Sequence, residues 1–160
     1  MALDRDAGDR ERIYRICRRS FIALDGRGAF LYGGRWNTPG TAIVYASRTL
    51  ALAALEALAH FAPDTAPDDL VALTIELPAD ATITRPAEAL PRDWARSLDH
   101  RACQAAGDLW ARAGSALALR VPSAIVPEEE NVLLNPLHAQ MARVRVVARR
   151  DFVFDPRLAG

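Results

Sequence analysis

Between Thr49 and Phe61 only two side chains can ionise, Glu56 and His60; the rest are Leu, Ala, Thr and Phe. A helix that is apolar nearly all round belongs inside a protein. Glu56 and His60 are four residues apart, so they share one helical face. A carboxylate in that setting is costly unless it is paired or put to use. Two readings are open. Glu56 is a buried, working carboxylate, or it sits partly exposed at the helix edge with His60 capping the C-terminal end.

The surrounding pattern places this helix in an α+β domain. Ile13–Ile16 reads as a first strand, and Leu24–Thr41 is irregular and Gly-rich. Ala42–Ala46 is a short β-type run, and Ser47 offers an N-cap to a helix over Arg48–Phe61. Pro63–Asp69 breaks that helix, and Leu70–Leu77 alternates as a strand does. Pro78–Asp99 reads as a long surface connection. Ala102–Ala113 forms a second helix anchored by Leu109 and Trp110. Ala116–Val121 is a strand cut by Pro122, and Ile125 and Val126 resume it before an acidic turn at Glu128–Glu130. Val144–Ala148 and Phe152–Phe154 are two last strands. Helices and strands interleave irregularly, which predicts a mixed or antiparallel sheet with flanking helices. With 160 residues the chain reads as a single domain over 1–160, frayed at residues 1–10.

Charge and cysteine content narrow the function. Twenty basic residues, all arginine, balance twenty acidic ones. No global field draws the chain to nucleic acid or to an anionic membrane, and no helix-turn-helix signal is present. Cys17 and Cys103 read as buried thiols, with no metal spacing and no disulfide framework. No stretch is apolar for long enough to span a bilayer, and the polar start is no signal peptide, so the expected location is cytoplasmic.

Two further segments can carry chemistry. Gly33-Gly34-Arg35-Trp36-Asn37-Thr38-Pro39-Gly40 sets one Arg and one Trp among glycines, which let backbone approach a ligand closely. Arginine grips phosphate or carboxylate bidentately. The order matches neither a Walker A loop nor a dinucleotide fingerprint, and a structural loop with Arg35 in a surface ion pair stays open. Ser123 follows Pro122 at a strand end, where its hydroxyl can enter a cleft or simply bond backbone. It lacks the elbow of a hydrolase nucleophile.

These residues carry a family resemblance. Tyr14-Arg15, Gly33-Gly34-Arg35-Trp36-Asn37, Val44-Tyr45-Ala46-Ser47 and Leu55-Glu56 with His60 come first. Gly107-Asp108-Leu109-Trp110 and Leu119-Arg120-Val121-Pro122-Ser123 follow. Asn131-Val132-Leu133-Leu134-Asn135-Pro136, His138 and Phe154-Asp155-Pro156-Arg157-Leu158 complete the order. The chain resembles RES-domain proteins, the toxins of bacterial RES–Xre type II toxin–antitoxin pairs. Glu130 stands where a basic or other polar residue is expected, a departure that puts no implied catalytic role in doubt.

The resemblance implies a fold like that of diphtheria-toxin-type ADP-ribosyltransferases. It implies NAD as substrate, with no cofactor and no metal, and cleavage of the nicotinamide–ribose bond by hydrolysis or phosphorolysis. Glu56, Arg35, Ser123 and Tyr45 are the implied catalytic residues. Arg35, Tyr45, Trp36, Asn37, Arg15, His60 and Asn135 are the implied NAD contacts, with Tyr45 or Trp36 stacking on nicotinamide. The implied partner is an Xre-type antitoxin that covers the cleft, in a complex that can hold a toxin homodimer. Transfer of ADP-ribose to a protein is the alternative reaction, and a non-catalytic NAD- or ADP-ribose-binding module is the alternative class.

Overall fold

A computed structural model describes residues 9–159. Residues 1–8 of the expected frayed start lie outside the described residues, while Asp9 and Arg10 precede the first strand without regular structure. In chain order the elements begin with β1 (Arg12–Arg18), α1 (Arg27–Tyr32), β2 (Val44–Ser47), α2 (Leu50–His60), β3 (Leu70–Glu76) and β4 (Ile83–Thr84). They continue with α3 (Arg101–Ala113), β5 (Ala118–Pro122), β6 (Glu130–Leu134) and β7 (Arg145–Asp151). The strands form one sheet in the order β4-β5-β6-β2-β1-β3-β7. Only β4 and β5 run parallel, so the sheet is mixed, as expected of an α+β domain.

The sheet is weakest at its centre. β1 pairs with β3 from Arg12 to Arg18, and β2 pairs with β6 from Val44 to Ser47. β1 and β2 share only the pair Tyr14–Ser47. The sheet therefore splays into two halves there. Arg15 bridges the gap by donating from Nη1 to the Tyr45 carbonyl at 2.8 Å. Registered pairs put Thr74, Tyr14, Ser47, Asn131 and Val121 on one face, in a row across five strands.

That face carries α2 and α3. Ala57 of α2 packs with Leu70 and Phe154, and with Ile16 of β1. Cys103 and Trp110 of α3 pack with Trp36, Leu119, Val121 and Leu133. The opposite face holds the larger core, in which Ile13, Val44, Leu73, Ile75 and Leu134 are buried.

Several expectations need correction. Ser47 ends β2 and does not cap α2; Thr49 does, its hydroxyl accepting from Leu52 N–H at 3.1 Å. α2 buries one face, through Leu52, Ala53 and Ala57, while Leu55 is 41% exposed. The small Ala residues let the helix sit close to the sheet, but they do not draw its outer face inside. On α3 the buried face follows Cys103, Gly107 and Trp110, a helical repeat that leaves Leu109 at 62% exposure. The Gly-rich segment contains α1, delimited by Gly26 and Gly33 at φ +69° and +70°.

The acidic turn expected at Glu128–Glu130 is shorter than that, because Glu130 already pairs with Pro122 as the first residue of β6. Ile125 and Val126 form a turn and no strand, because both donate their N–H groups to Ser123 Oγ. β7 is one strand of exposed residues at the sheet edge. Phe152–Phe154 is not a strand: Phe152 stacks edge-on against Phe154, which turns inward beneath α2.

Gly107 is where α3 meets the Gly-rich loop. A Cβ there would lie 1.8 Å from the Trp36 carbonyl oxygen, a backbone atom that cannot swing away. Gly107→Ala is expected to cost about 3 kcal/mol, lowering Tm by roughly 6–12 °C. Calorimetry checks this, and a melt matching wild type would contradict the packing described.

Candidate functional site

Glu56 sits on the α2 face turned to β6 and to the turn after β5. Its Oε1 accepts two hydrogen bonds, from Ser123 Oγ at 2.8 Å and from Asn131 Nδ2 at 2.7 Å. Oε2 takes no hydrogen bond among the described residues. Ser123 is fully buried, and its oxygen also accepts from Ile125 N–H and Val126 N–H at 3.0 and 3.1 Å. Two backbone donors on the oxygen leave its proton free to point at Glu56. The carboxylate is thus half-buried and paired at the helix edge, whereas the C-cap of α2 is Phe61 and His60 makes no capping bond among the described residues.

The Gly-rich loop is organised by a second set of bonds. Tyr45 Oη accepts from Trp36 N–H at 3.0 Å and donates to Asn37 Oδ1 at 2.7 Å. Asn37 is fully buried, and its amide donates to the carbonyls of Ala29, Thr38 and Thr41. Asp108 of α3 accepts from Thr38 N–H and Thr38 Oγ1 at 3.1 and 2.7 Å. Gly34 has no space for a side chain, since a Cβ would come within 2.7 Å of Tyr45 Oη. Burial pushes the Tyr45 phenol well above its ordinary pKa, so it stays a neutral donor.

Arg35 projects from this loop half-buried. Its Nη1 donates to the Trp94 carbonyl at 2.9 Å, and its guanidinium lies 5.9 Å from the Trp94 ring centre. The remaining guanidinium N–H groups have no partner among the described residues. β2 links the two clusters, because Tyr45 and Ser47 alternate onto the same face of that strand.

The structure separates the sequence candidates into groups. Glu56 and Ser123 are in direct contact; Arg35 lies on the Gly-rich loop, which Tyr45 of β2 braces. Arg15 spans the splay between β1 and β2. Trp36 is 3% exposed and packs against Trp94 at 5.9 Å, so its ring is core and not a free stacking surface. Asn37 spends every polar atom inside the loop. Asn135 is likewise buried, donating to the Ala111 carbonyl and accepting from Leu137 N–H. His60 is exposed and stacks edge-on against Phe61, with no hydrogen bond to Glu56. The family resemblance implies these four as NAD contacts. Among the described residues no side chain of the four hydrogen-bonds to Glu56, Ser123 or Asn131.

Asn131 and Ser47 join the cluster although the sequence does not single them out as site residues. Ser47 Oγ donates to Asn131 Oδ1 at 2.7 Å, and the two are paired across β2 and β6. A strand pairing over 84 residues of sequence leaves no local signal.

Elsewhere, Arg120, Glu11 and Arg48 border an open groove of about 740 Å³. Glu11 pairs with both Arg120 and Arg48, and Glu130 with Arg48 and Arg85, so these charges are matched in sign, although Glu11 Oε1 and Arg120 Nε are buried without a hydrogen bond. Among the described residues no group of His, Cys, Asp or Glu side chains is placed to hold a metal ion. Among them, too, no helix is long and apolar enough to cross a membrane.

Fold and site together define a small α+β domain with a carboxylate held beside a splay in its sheet. The chain belongs to the RES-domain family of toxins, whose model it matches over residues 12–155. It is 36% identical to a protein named Toxin Res from Photorhabdus laumondii, over 91% of this chain and 96% of that one. It is 38% identical to the Prs ADP-ribosylating toxin of a Sphingobium species, over 84% of this chain and 86% of that one. Its fold matches a chain of the crystal structure of the M. tuberculosis MbcT–MbcA toxin–antitoxin complex, at a TM-score of 0.75 and 20% identity. That match covers 94% of this chain and 87% of the other.

The Tyr45 hydroxyl is expected to stabilise the loop by about 2 kcal/mol, because its loss strands two polar groups. Tyr45→Phe should lower Tm by roughly 4–8 °C. An unchanged melting curve would show that the loop does not depend on this bond.

Proposed function

We propose that this protein is an enzyme that cleaves the nicotinamide–ribose bond of NAD. The observation that carries the reading is the Glu56 carboxylate, anchored through Oε1 by Ser123 and Asn131 with Oε2 left without a donor. Membership of the RES family supports it, as does the name of the Sphingobium relative, an ADP-ribosylating toxin. An ADP-ribosyltransferase-type fold of the diphtheria-toxin kind is part of the same proposal.

The chemistry suits the residues. When the bond between ribose C1′ and the nicotinamide nitrogen breaks, both electrons go to that nitrogen. The cationic ring leaves as neutral nicotinamide, and positive charge builds on the ribose as in glycoside cleavage. A carboxylate fixed below that ribose stabilises the charge as it develops, with no reorganisation needed at that moment. Oε2 of Glu56 would face the ribose, and Ser123 would hold Oε1. Arg35 has guanidinium donors to spare for the pyrophosphate, a bidentate acceptor. Tyr45 braces the loop that carries Arg35. Water as acceptor yields ADP-ribose and a proton; phosphate yields ADP-ribose 1″-phosphate. Transfer to a protein side chain shares the same first step, and the Sphingobium relative's name favours it as the second reading. A non-catalytic binding module would have no need of an anchored carboxylate with one oxygen unoccupied.

The proposed setting is the cytoplasm, where loss of NAD would arrest growth. The proposed partner is an antitoxin of the Xre type covering the cleft, with a toxin homodimer in the complex. The M. tuberculosis structural neighbour, crystallised as a toxin–antitoxin complex, supports a partner of this kind.

The test uses purified protein freed of antitoxin, incubated with NAD with and without phosphate or lysate, and products identified by mass. Wild type should release nicotinamide. Glu56→Gln should lose at least about 100-fold in rate, the scale of one transition-state electrostatic contact. Ser123→Ala should lose about 10-fold or more, through one charge-assisted bond. Full turnover by folded Glu56→Gln would refute the assignment. No turnover by folded wild type in any condition would favour the binding module.

A further inference from the structure

We propose that Asn131, backed by Ser47, is a positioning residue that selects which oxygen of Glu56 is presented to substrate. This rests on the reading of Glu56 as the working carboxylate.

A glutamate side chain has three rotatable bonds, and one anchor leaves its carboxylate able to turn about that contact. Ser123 is one anchor, on the turn after β5. Asn131 supplies another, on β6, and both reach the same oxygen. Two donors from separate elements hold Oε1 in place, so Oε2 is the oxygen left to meet a ligand.

Asn131 can do this only if its amide faces the right way. The carboxylate accepts and cannot donate, so Nδ2 must face Glu56 and Oδ1 must face away. Oδ1 then needs a donor, which Ser47 Oγ supplies at 2.7 Å. Ser47 is 3% exposed, so bulk water cannot readily take over that role. The strand register sets Ser47 beside Asn131 as direct partners. The relay Ser47–Asn131–Glu56 therefore runs from the last residue of β2, at the one position where the two half-sheets join. Ser47 touches Glu56 only through Asn131 among the hydrogen bonds of the described residues.

Action through another residue has its own signature. Asn131→Ala should lower kcat for nicotinamide release by about 10- to 100-fold, the scale of a bond to a charged group, with KM for NAD within about two-fold. Ser47→Ala should lower kcat less. The double variant should match Asn131→Ala alone, because Ser47 has nothing left to orient. Asn131→Asp keeps the side-chain volume but replaces the donor with an acceptor; it should lose at least as much, and serves if Asn131→Ala does not fold.

A readout independent of turnover accompanies these rates. In carboxyl-13C-labelled protein the Glu56 Cδ resonance, assigned by its absence in Glu56→Gln, should move in Asn131→Ala. It should move less, in the same direction, in Ser47→Ala. A Glu56 resonance unmoved in both folded variants overturns the relay. So do losses that multiply in the double variant, or that appear in KM and not in kcat. A wild type inert toward NAD would refute the NAD reading, while the resonance would still decide whether the relay holds Glu56.

Discussion

The Glu56 carboxylate ties α2 to a segment remote from it in sequence, the turn at Ser123 and the strand β6 that follows. Its two partners lie 67 and 75 residues away. A carboxylate placed against a sheet must recover the hydrogen bonds it loses on leaving water. Ser123 and Asn131 return them on one oxygen. The polar cluster thus fixes how α2 lies across the sheet, and it leaves a single acceptor atom unused. Structure and proposed chemistry depend on the same atoms.

Around that centre the fold separates support from contact. Trp36, Asn37 and Asp108 are buried and bonded internally, and through Tyr45 and Thr38 they make a rigid frame from a stretch rich in glycine. The frame fixes the base of Arg35, whose own exposure is intermediate. A loop held in this way orders an arginine at little further entropic cost when a ligand arrives. The splay between β1 and β2 has a related effect. A ladder reduced to the pair Tyr14–Ser47 leaves backbone unzipped, and Arg15 fills part of the opening with its guanidinium.

Much of this is legible in the sequence wherever the signal is local. The apolar run from Leu50 to Phe61 marks a helix, and the one carboxylate within it is the one that Ser123 and Asn131 hold. Pro122 marks a strand end, and Ser123 beyond it is bonded to Glu56. The strands at Ile13 and Leu70 and the α+β class follow from alternation and order. Pairings across the sheet are not legible. Ser47 resembles a helix cap because a hydroxyl before an apolar run usually is one, whereas its actual partner, Asn131, is set by strand register. Trp36 resembles a ligand group because an aromatic residue among glycines suits a binding loop, and the family resemblance adds Asn37. Only the packing of α3 against that loop reveals them as its interior. β7 is hard to read because Arg149, Arg150 and Asp151 lack the alternation of a half-buried strand, and at the sheet edge none is needed.

In the proposed reaction the nicotinamide-bearing ribose of NAD sits on the free oxygen of residue 56, beside the splay. The most direct measurement is a crystal structure of Glu56→Gln, which retains side-chain shape, with intact NAD bound. The nicotinamide ribose is expected within hydrogen-bonding distance of the residue 56 amide, and the pyrophosphate against Arg35. NAD bound elsewhere, such as along the groove beside Glu11 and Arg120, would contradict it.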